Sequence, residues 1–407
     1  MKQLTLYILI ASMFVLWTAS TGYASPNSNG VDGNSQSEQN ASPNLQDSMV
    51  QSQIEKLGVD ELKSFWDQIV TDYGGFLPES QKGSFYDFVS GEKQFSFSQW
   101  FKGITKFIFH ELLVNGKLLG TLLLLTIFSM FLQSLQNSFE KSSISKVAYA
   151  IVFMVLIIIA LNSFHVAIGY TKETIDFMIS FILSLIPMLL ALIAASGGIV
   201  SAAFFHPVLL FLMNTSGLLV SKVVLPLLFL AALLSIVSTL SENYKVTQLA
   251  QLLRNWSIGL LGIFMTVFLA VISVQGATSA VADGVTIRTA KFLTGNFVPV
   301  IGKMFSDATD TVMNASVLLK NTVGMAGVII LLLITIFPAI KILVVAFVYK
   351  LSAALLQPIG GGPVIKCLDI ISKSMMYIFA ALAIVSIMFF LSITVIIAAG
   401  NVTLMVR

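Results

Sequence analysis

The sequence predicts an all-α fold: a polytopic transmembrane helical bundle of six to eight helices, preceded by a small helical extracytoplasmic N-terminal domain. Three observations predict it. Only 11% of the 407 residues are charged, against about 25% in soluble domains. The apolar residues come in blocks long enough to cross a bilayer rather than in short alternating runs. Basic residues collect in alternate connections between those blocks, as the positive-inside rule requires of a threaded chain.

The N-terminal elements follow in order. Residues 1–24 have the make-up of an export signal. Lys2 supplies the positive start, Leu4 to Trp17 the apolar stretch, and Gly22-Tyr23-Ala24 the small residues before cleavage at Ala24. An uncleaved first membrane helix is the alternative, and the polar stretch after Ala24 favours cleavage. Residues 25–44, rich in Ser, Asn, Gln and Gly, lack apolar periodicity and form a disordered linker. Residues 45–116 form an extracytoplasmic amphipathic-helical region. A helix from about Leu45 to Asp72 carries Leu62, Phe65, Trp66 and Ile69 on one face, with Asp60 as a plausible N-cap. Gly74-Gly75 and Pro78 end it. A second helix begins near Ser98, with Trp100, Ile104, Phe107 and Ile108 on one side. This region has too few apolar positions for a large core of its own, so it is expected to lie on the membrane or on a partner.

Residues 117–407 form the bundle. Spans are predicted at about 118–136, 147–168, 177–197, 201–220, 223–240, 257–274, 324–348 and 376–399. Threading them from an exported N-terminus puts Lys141, Lys146, Lys245, Arg254, Lys350, Lys366 and Lys373 inside, and leaves Lys172 and Lys222 in the short outside connections. Pro187, Pro207, Pro226 and Pro338 interrupt spans, as they do in broken transporter helices and also in ordinary membrane helices.

Segment 275–322 stands apart as an extracytoplasmic or re-entrant amphipathic stretch. Asp283, Arg288, Lys291 and Asn296 precede Pro299, and beyond it Ile301, Met304, Phe305, Ala308, Val312, Ala315 and Leu319 make an apolar stripe opposite Lys303, Asp307, Asp310 and Asn314. Asp283, Arg288, Lys291, Asn296, Pro299, Asp307 and Asp310 are therefore the candidate gate, docking or pore residues. A helix that merely caps the bundle at the interface explains the same pattern. Lys222 and Lys341 are candidate intramembrane charges, because a charge left in lipid costs about 3 kcal/mol or more. Snorkelling to the interface is the plainer account of both.

Several function classes are excluded or unsupported. A net charge of +3 without a basic cluster gives no nucleic-acid surface. One cysteine, Cys367, allows no intrachain disulfide, and His110, His165 and His206 are far apart in sequence, without zinc-site spacing. His110-Glu111 opens like a zinc-protease helix, but Asn115 stands where the second His would be. Gly116-Lys117 and Gly302-Lys303 lack the rest of a phosphate loop, and no Gly-x-Ser-x-Gly turn occurs. No catalytic site, cofactor or metal is expected.

The block Gly284-Val285-Thr286-Ile287-Arg288-Thr289-Ala290-Lys291-Phe292, continuing through Gly295-Asn296-Phe297-Val298-Pro299, resembles the stage III sporulation protein AE family of endospore-forming bacteria. So do Asn115 to Gly120, Leu356-Gln357-Pro358, Pro363 to Cys367 and Gly400 to Arg407. The resemblance runs from about residue 45 to the end. It implies a role in sporulation, within a channel that joins mother cell and forespore. The implied setting is the mother-cell membrane around the forespore. The implied partners are ring-forming membrane proteins and a cytoplasmic ATPase of the same operon, and a forespore membrane protein. Self-association is left open. A platform or gate, a secondary transporter and a non-conducting scaffold are the three roles compatible with the residues.

Overall fold

The computed structural model describes residues 60–78, 97–138, 143–240, 246–297, 301–359 and 362–405. The predicted signal with Ala24, the linker and the start of the first predicted helix lie outside them. Regular structure in the described residues is entirely helical: α1 Asp60–Tyr73, α2 Phe97–Val114, α3 Gly116–Ser138, α4 Ser143–Ala195, α5 Ile199–Leu219, a π-helical turn Val220–Val224, α6 Leu225–Leu240, α7 Thr247–Phe297, α8 Ile301–Leu356 and α9 Pro363–Met405.

Two pairs of predicted spans are single rods. α4 runs unbroken for 53 residues. Its polar middle, Tyr170 to Asp176, reads as a connection by composition. In the structure the hydroxyls of Thr171 and Thr174 donate to the carbonyls of Ala167 and Tyr170 one turn back, and Ile175 is wholly buried. These polar groups are satisfied along the helix, so nothing forces a turn. α5 continues into α6 through the π turn, where the Leu225 N–H donates to the carbonyl of Val220. The extra residue of that turn precedes Pro226, whose ring would clash with a carbonyl four residues back in a regular helix. Among the described residues, six helical rods are long and apolar enough to cross a membrane, the lower bound of the expectation.

The rods run antiparallel in chain order. Along α4 and α8, Tyr349 Oη donates to Ser163 Oγ at 2.8 Å, Thr335 Oγ1 to Met178 Sδ at 3.1 Å, and Gly327 faces Leu185. α9 returns along α8: Ser386 Oγ donates to Thr335 Oγ1 at 3.2 Å, and Asp369 pairs with Lys350 and with Lys373. One end of the bundle, called basal here, holds the α8–α9 connection, where a Cβ on Gly362 would lie 3.1 Å from Gln133 Oε1 of α3. The other, distal, holds the α4–α5 turn at Gly197-Gly198. Gly197 has φ of +96°, and a Cβ there would fall 2.5 Å from Met313 Cε of α8. Only glycine takes that conformation freely, and here only glycine fits. α4 and α9 form the centre: Phe181, Leu185, Ile193, Met375, Leu382 and Phe389 are almost wholly enclosed.

The N-terminal helices find their partner in the bundle itself. Leu62, Trp66 and Ile69 of α1 are buried, and Phe65 packs 5.2 Å from Phe177 and 5.4 Å from Phe181 of α4. α2 crosses the turn after α1 at Gly103, where a side chain would strike the carbonyl of Phe76.

Candidate functional site

Among the described residues, two places stand out besides the Lys350–Asp369–Lys373 cluster. The first is a cleft among α1, α4 and α8. Tyr73 ends α1 and stacks on Phe337 of α8 at 4.2 Å and 7°. One turn on from Phe337, the Lys341 ammonium lies 5.6 Å from the ring centre of Tyr73 and 5.4 Å from that of Tyr170. Gln68, Asp72, Glu173 and Pro338 line the same cavity, of about 320 Å³. Two π faces and two carboxylates suit a cation, and Lys341 fills that role from within the chain. The arrangement clasps α1 against α4 and α8. Burial, with Asp72, Glu111 and Tyr170 adding to it, pushes the Tyr73 hydroxyl up to about 12, so it stays neutral at physiological pH.

The second place is the distal end. Asp283 of α7 is wholly buried. Its carboxylate accepts the Val200 N–H at 2.8 Å and the Ser201 N–H at 3.2 and 3.3 Å. These are the second and third residues of α5, whose own preceding residue, Gly198, has no side chain to offer them. Lys320 of α8 is also wholly buried and donates to the carbonyl of Ile397 at 3.2 Å and to Asn401 Oδ1 at 2.7 Å, near the end of α9. An acid therefore meets a helix N-terminus and a base meets a helix C-terminus, each complementary to the helix dipole. Hydrogen bonds and dipoles offset the cost of burying each charge.

The predicted residues separate accordingly. Asp283 is an internal cap, while Arg288 is exposed on α7. Lys291 and Asn296 fall near the end of α7, and Asp307 and Asp310 in the opening turns of α8, with backbone placement alone described. Pro299 lies outside the described residues. Lys222 is exposed in the π turn. Lys341 is half-buried in the cleft. Of the predicted apolar stripe, Ala315 and Leu319 are buried but Val312 is 46% exposed. The inward face also carries Met313, Ser316 and Lys320.

Sequence reasoning missed Lys320, Tyr73 and Tyr170. A signal for Lys320 existed. Ser316, Lys320, Gly324 and Gly327 share one helical face, and small residues on such a face mark close helix packing. Nothing in the sequence announced that two tyrosines nearly a hundred positions apart would meet one lysine.

A family model described as stage III sporulation protein AE matches residues 80–400. The chain is 68% identical over 351 residues to stage III sporulation protein AE of Bacillus subtilis (strain 168), covering 86% of this chain and 88% of that relative. The chain belongs to the stage III sporulation protein AE family. No solved structure matches it. This member of the sporulation protein AE family is a multi-pass membrane protein, with its long rods as the candidate spans. Among the described residues, no three His, Cys, Asp or Glu side chains are grouped to hold a metal.

Proposed function

We propose that this protein is a membrane platform and gate of a channel complex between mother cell and forespore, needed for forespore development and late forespore gene expression. It sits in the mother-cell membrane around the forespore. Family membership is the observation that carries the reading, and it supports participation in a sporulation complex. The proposed partners are ring-forming membrane proteins and a cytoplasmic ATPase of the same operon, with a forespore membrane protein completing the conduit. The distal ends of α7 and α8, with Arg288 and Lys291, are the proposed docking or gating face, directed to the space between the membranes.

The test is the double variant Arg288→Ala, Lys291→Ala, read by a forespore reporter gene and by co-purification of the complex. Assembly with failed expression supports a gate and excludes a pure scaffold. Loss of assembly supports docking. Full activity in both assays removes this face from the function.

The cleft at Lys341 favours a second reading, a secondary transporter, since a charged cavity beside Pro338 interrupts an apolar rod. Normal spore yield in Lys341→Met would remove its main support.

A further inference from the structure

We propose that the outer seam between α8 and α9 binds an anionic phospholipid of the surrounding membrane, with its phosphate between Lys350 and Lys373 and an acyl chain laid along the seam toward the distal end.

At its basal end the seam opens into a cavity of about 590 Å³. Leu343 and Phe347 of α8 and Met376 and Tyr377 of α9 wall it, and Lys350 and Lys373 stand at its rim. On each helix these residues fall three or four apart, so each helix gives the cavity one edge. The Ser372 hydroxyl in its floor donates to the Ala346 carbonyl at 2.8 Å and is satisfied without an occupant. Phe347 and Met376 are exposed, so the cavity faces whatever surrounds the bundle. A lipid chain matches such walls, and a pair of ammonium groups matches its phosphate.

The charge at the rim is unbalanced. Asp369 pairs with both Lys350 and Lys373 and holds their ammonium groups together, yet both lysine side chains stay more than half exposed. Each ammonium has three donors, more than one shared carboxylate can satisfy. Arg254 of α7 adds a third cation, 5.3 Å from the ring of Tyr377. A surplus of positive charge therefore borders an apolar cavity. Basic pockets between membrane helices on the cytoplasmic side take anionic headgroups, and the positive-inside rule puts Lys350 and Lys373 on that side.

Beyond the rim the seam carries no charge. Leu332, Ile336 and Ala339 of α8 stand eleven residues before Leu343, Phe347 and Lys350, and Ala383 and Ile387 of α9 stand eleven after Ser372 and Met376. Eleven residues make about three turns, so the second cavity that they line, of about 340 Å³, continues the first on one face. Its hydroxyls are already engaged, Ser386 Oγ donating to Thr335 Oγ1. Lys350 to Ala339 measures about 16 Å along the helix, close to the depth of one leaflet in a hydrocarbon core about 30 Å thick. Lys341, nine residues from Lys350, is turned by about 180° into the cleft on the opposite side of α8. α7, beside the rim at Arg254, changes in the same sense. Gln248, Gln251 and Asn255 are exposed basally, then Trp256, Ile263, Val267, Val271 and Val274 distally, with no charged residue before Asp283. The polar end and the apolar length of a phospholipid find their counterparts in that order.

Native mass spectrometry of the purified full-length protein, titrated in detergent with dioleoylphosphatidylglycerol or dioleoylphosphatidylcholine, tests the site. The phosphatidylglycerol should bind several-fold tighter. Lys350→Gln with Lys373→Gln should abolish that preference, whereas Lys172→Gln with Lys222→Gln removes the same charge elsewhere and should leave it intact. Asp369→Asn frees both ammonium groups and should raise the preference. Met376→Trp fills the cavity, keeps both lysines and should weaken binding. The last two variants have opposite signs, so the test stands even if the lysine pair is needed for monodisperse elution. A preference kept by the Lys350, Lys373 variant, or lost equally in the Lys172, Lys222 variant, would mean diffuse attraction and overturn the site. Glycerol 1-phosphate raising the melting temperature as much as the lipid would leave a phosphate site without a chain, and overturn it too. A dimer that Met376→Trp dissolves, with no lipid preference, would assign the seam to a second copy instead.

Discussion

Asp283 and Val200 are 83 positions apart in sequence, yet the carboxylate of one accepts the backbone N–H of the other at 2.8 Å. A cap supplied by a distant helix makes the α4–α5 turn depend on α7. Asp283→Ala strands the N–H groups of Val200 and Ser201 in a buried site and should cost about 1–3 kcal/mol. Asp283→Asn keeps one acceptor and should cost less. Thermal melting in detergent gives the order; equal melting of Ala and Asn variants would contradict the capping role.

Lys320 should obey volume before charge. Lys320→Met keeps the length of the side chain and removes the buried charge, so it should be tolerated better than its burial suggests. Lys320→Ala leaves a cavity beside α9 and should lose about 2–5 kcal/mol. A melting temperature as low for Met as for Ala would show that the ammonium bonds to Ile397 and Asn401, rather than packing, hold α8 to α9.

Much of this arrangement was legible in the sequence. The faces of α1 and α2 were read correctly because Leu62, Trp66, Ile69, Trp100 and Phe107 keep a helical period and are all buried. The membrane class followed from the low charge content together with the membrane-length apolar blocks. The joins were not legible. Tyr170 to Asp176 has the composition of a loop, and only tertiary burial of Thr171, Ile175 and Met178 keeps it helical. Asp283 was singled out for being unusual, but its role depends on a turn made by Gly197 and Gly198, and sequence spacing carries no information about that meeting. The aromatic seat of Lys341 was hidden for the same reason.

The glycines give a paired prediction. Gly197→Ala meets both a φ of +96° and Met313 Cε at 2.5 Å, so it should lower the melting temperature and lose more than the conformational penalty of about 1 kcal/mol. Gly259→Ala, in the interior of α7 with nothing within 4 Å of the added carbon, should stabilise by about 0.5–1 kcal/mol. Opposite signs are required; two losses would mean that α7 is packed more tightly at Gly259 than its surroundings indicate.

The clasp at Tyr73 should respond to alkali and not to acid. Tyr73 is neutral in the folded protein until about pH 12, whereas the free side chain ionises near 10.0. Below pH 10 both states carry the proton and stability has no slope from this group. Between about pH 10 and 12 the undocked state loses its proton first, so docking of α1 weakens as pH rises. Emission from Trp66, buried in α1, should shift to the red over that interval in a variant whose other tryptophans are replaced. Tyr73→Phe should shift less, because it keeps the ring and removes the proton.

The π turn at Val220–Val224 gives the molecule an unequal tolerance to changes in chain length. A helix turns by about 100° per residue. Deleting one residue within Val220–Val224 can convert the π turn into regular helix and leave the faces of α5 and α6 where they are. Deleting one residue between Tyr170 and Asp176 has no such slack to draw on. Everything distal to it on α4 would swing by about 100°, turning the enclosed face of Phe181 and Leu185 outward. Natural insertions and deletions should therefore concentrate at the first site and be missing from the second.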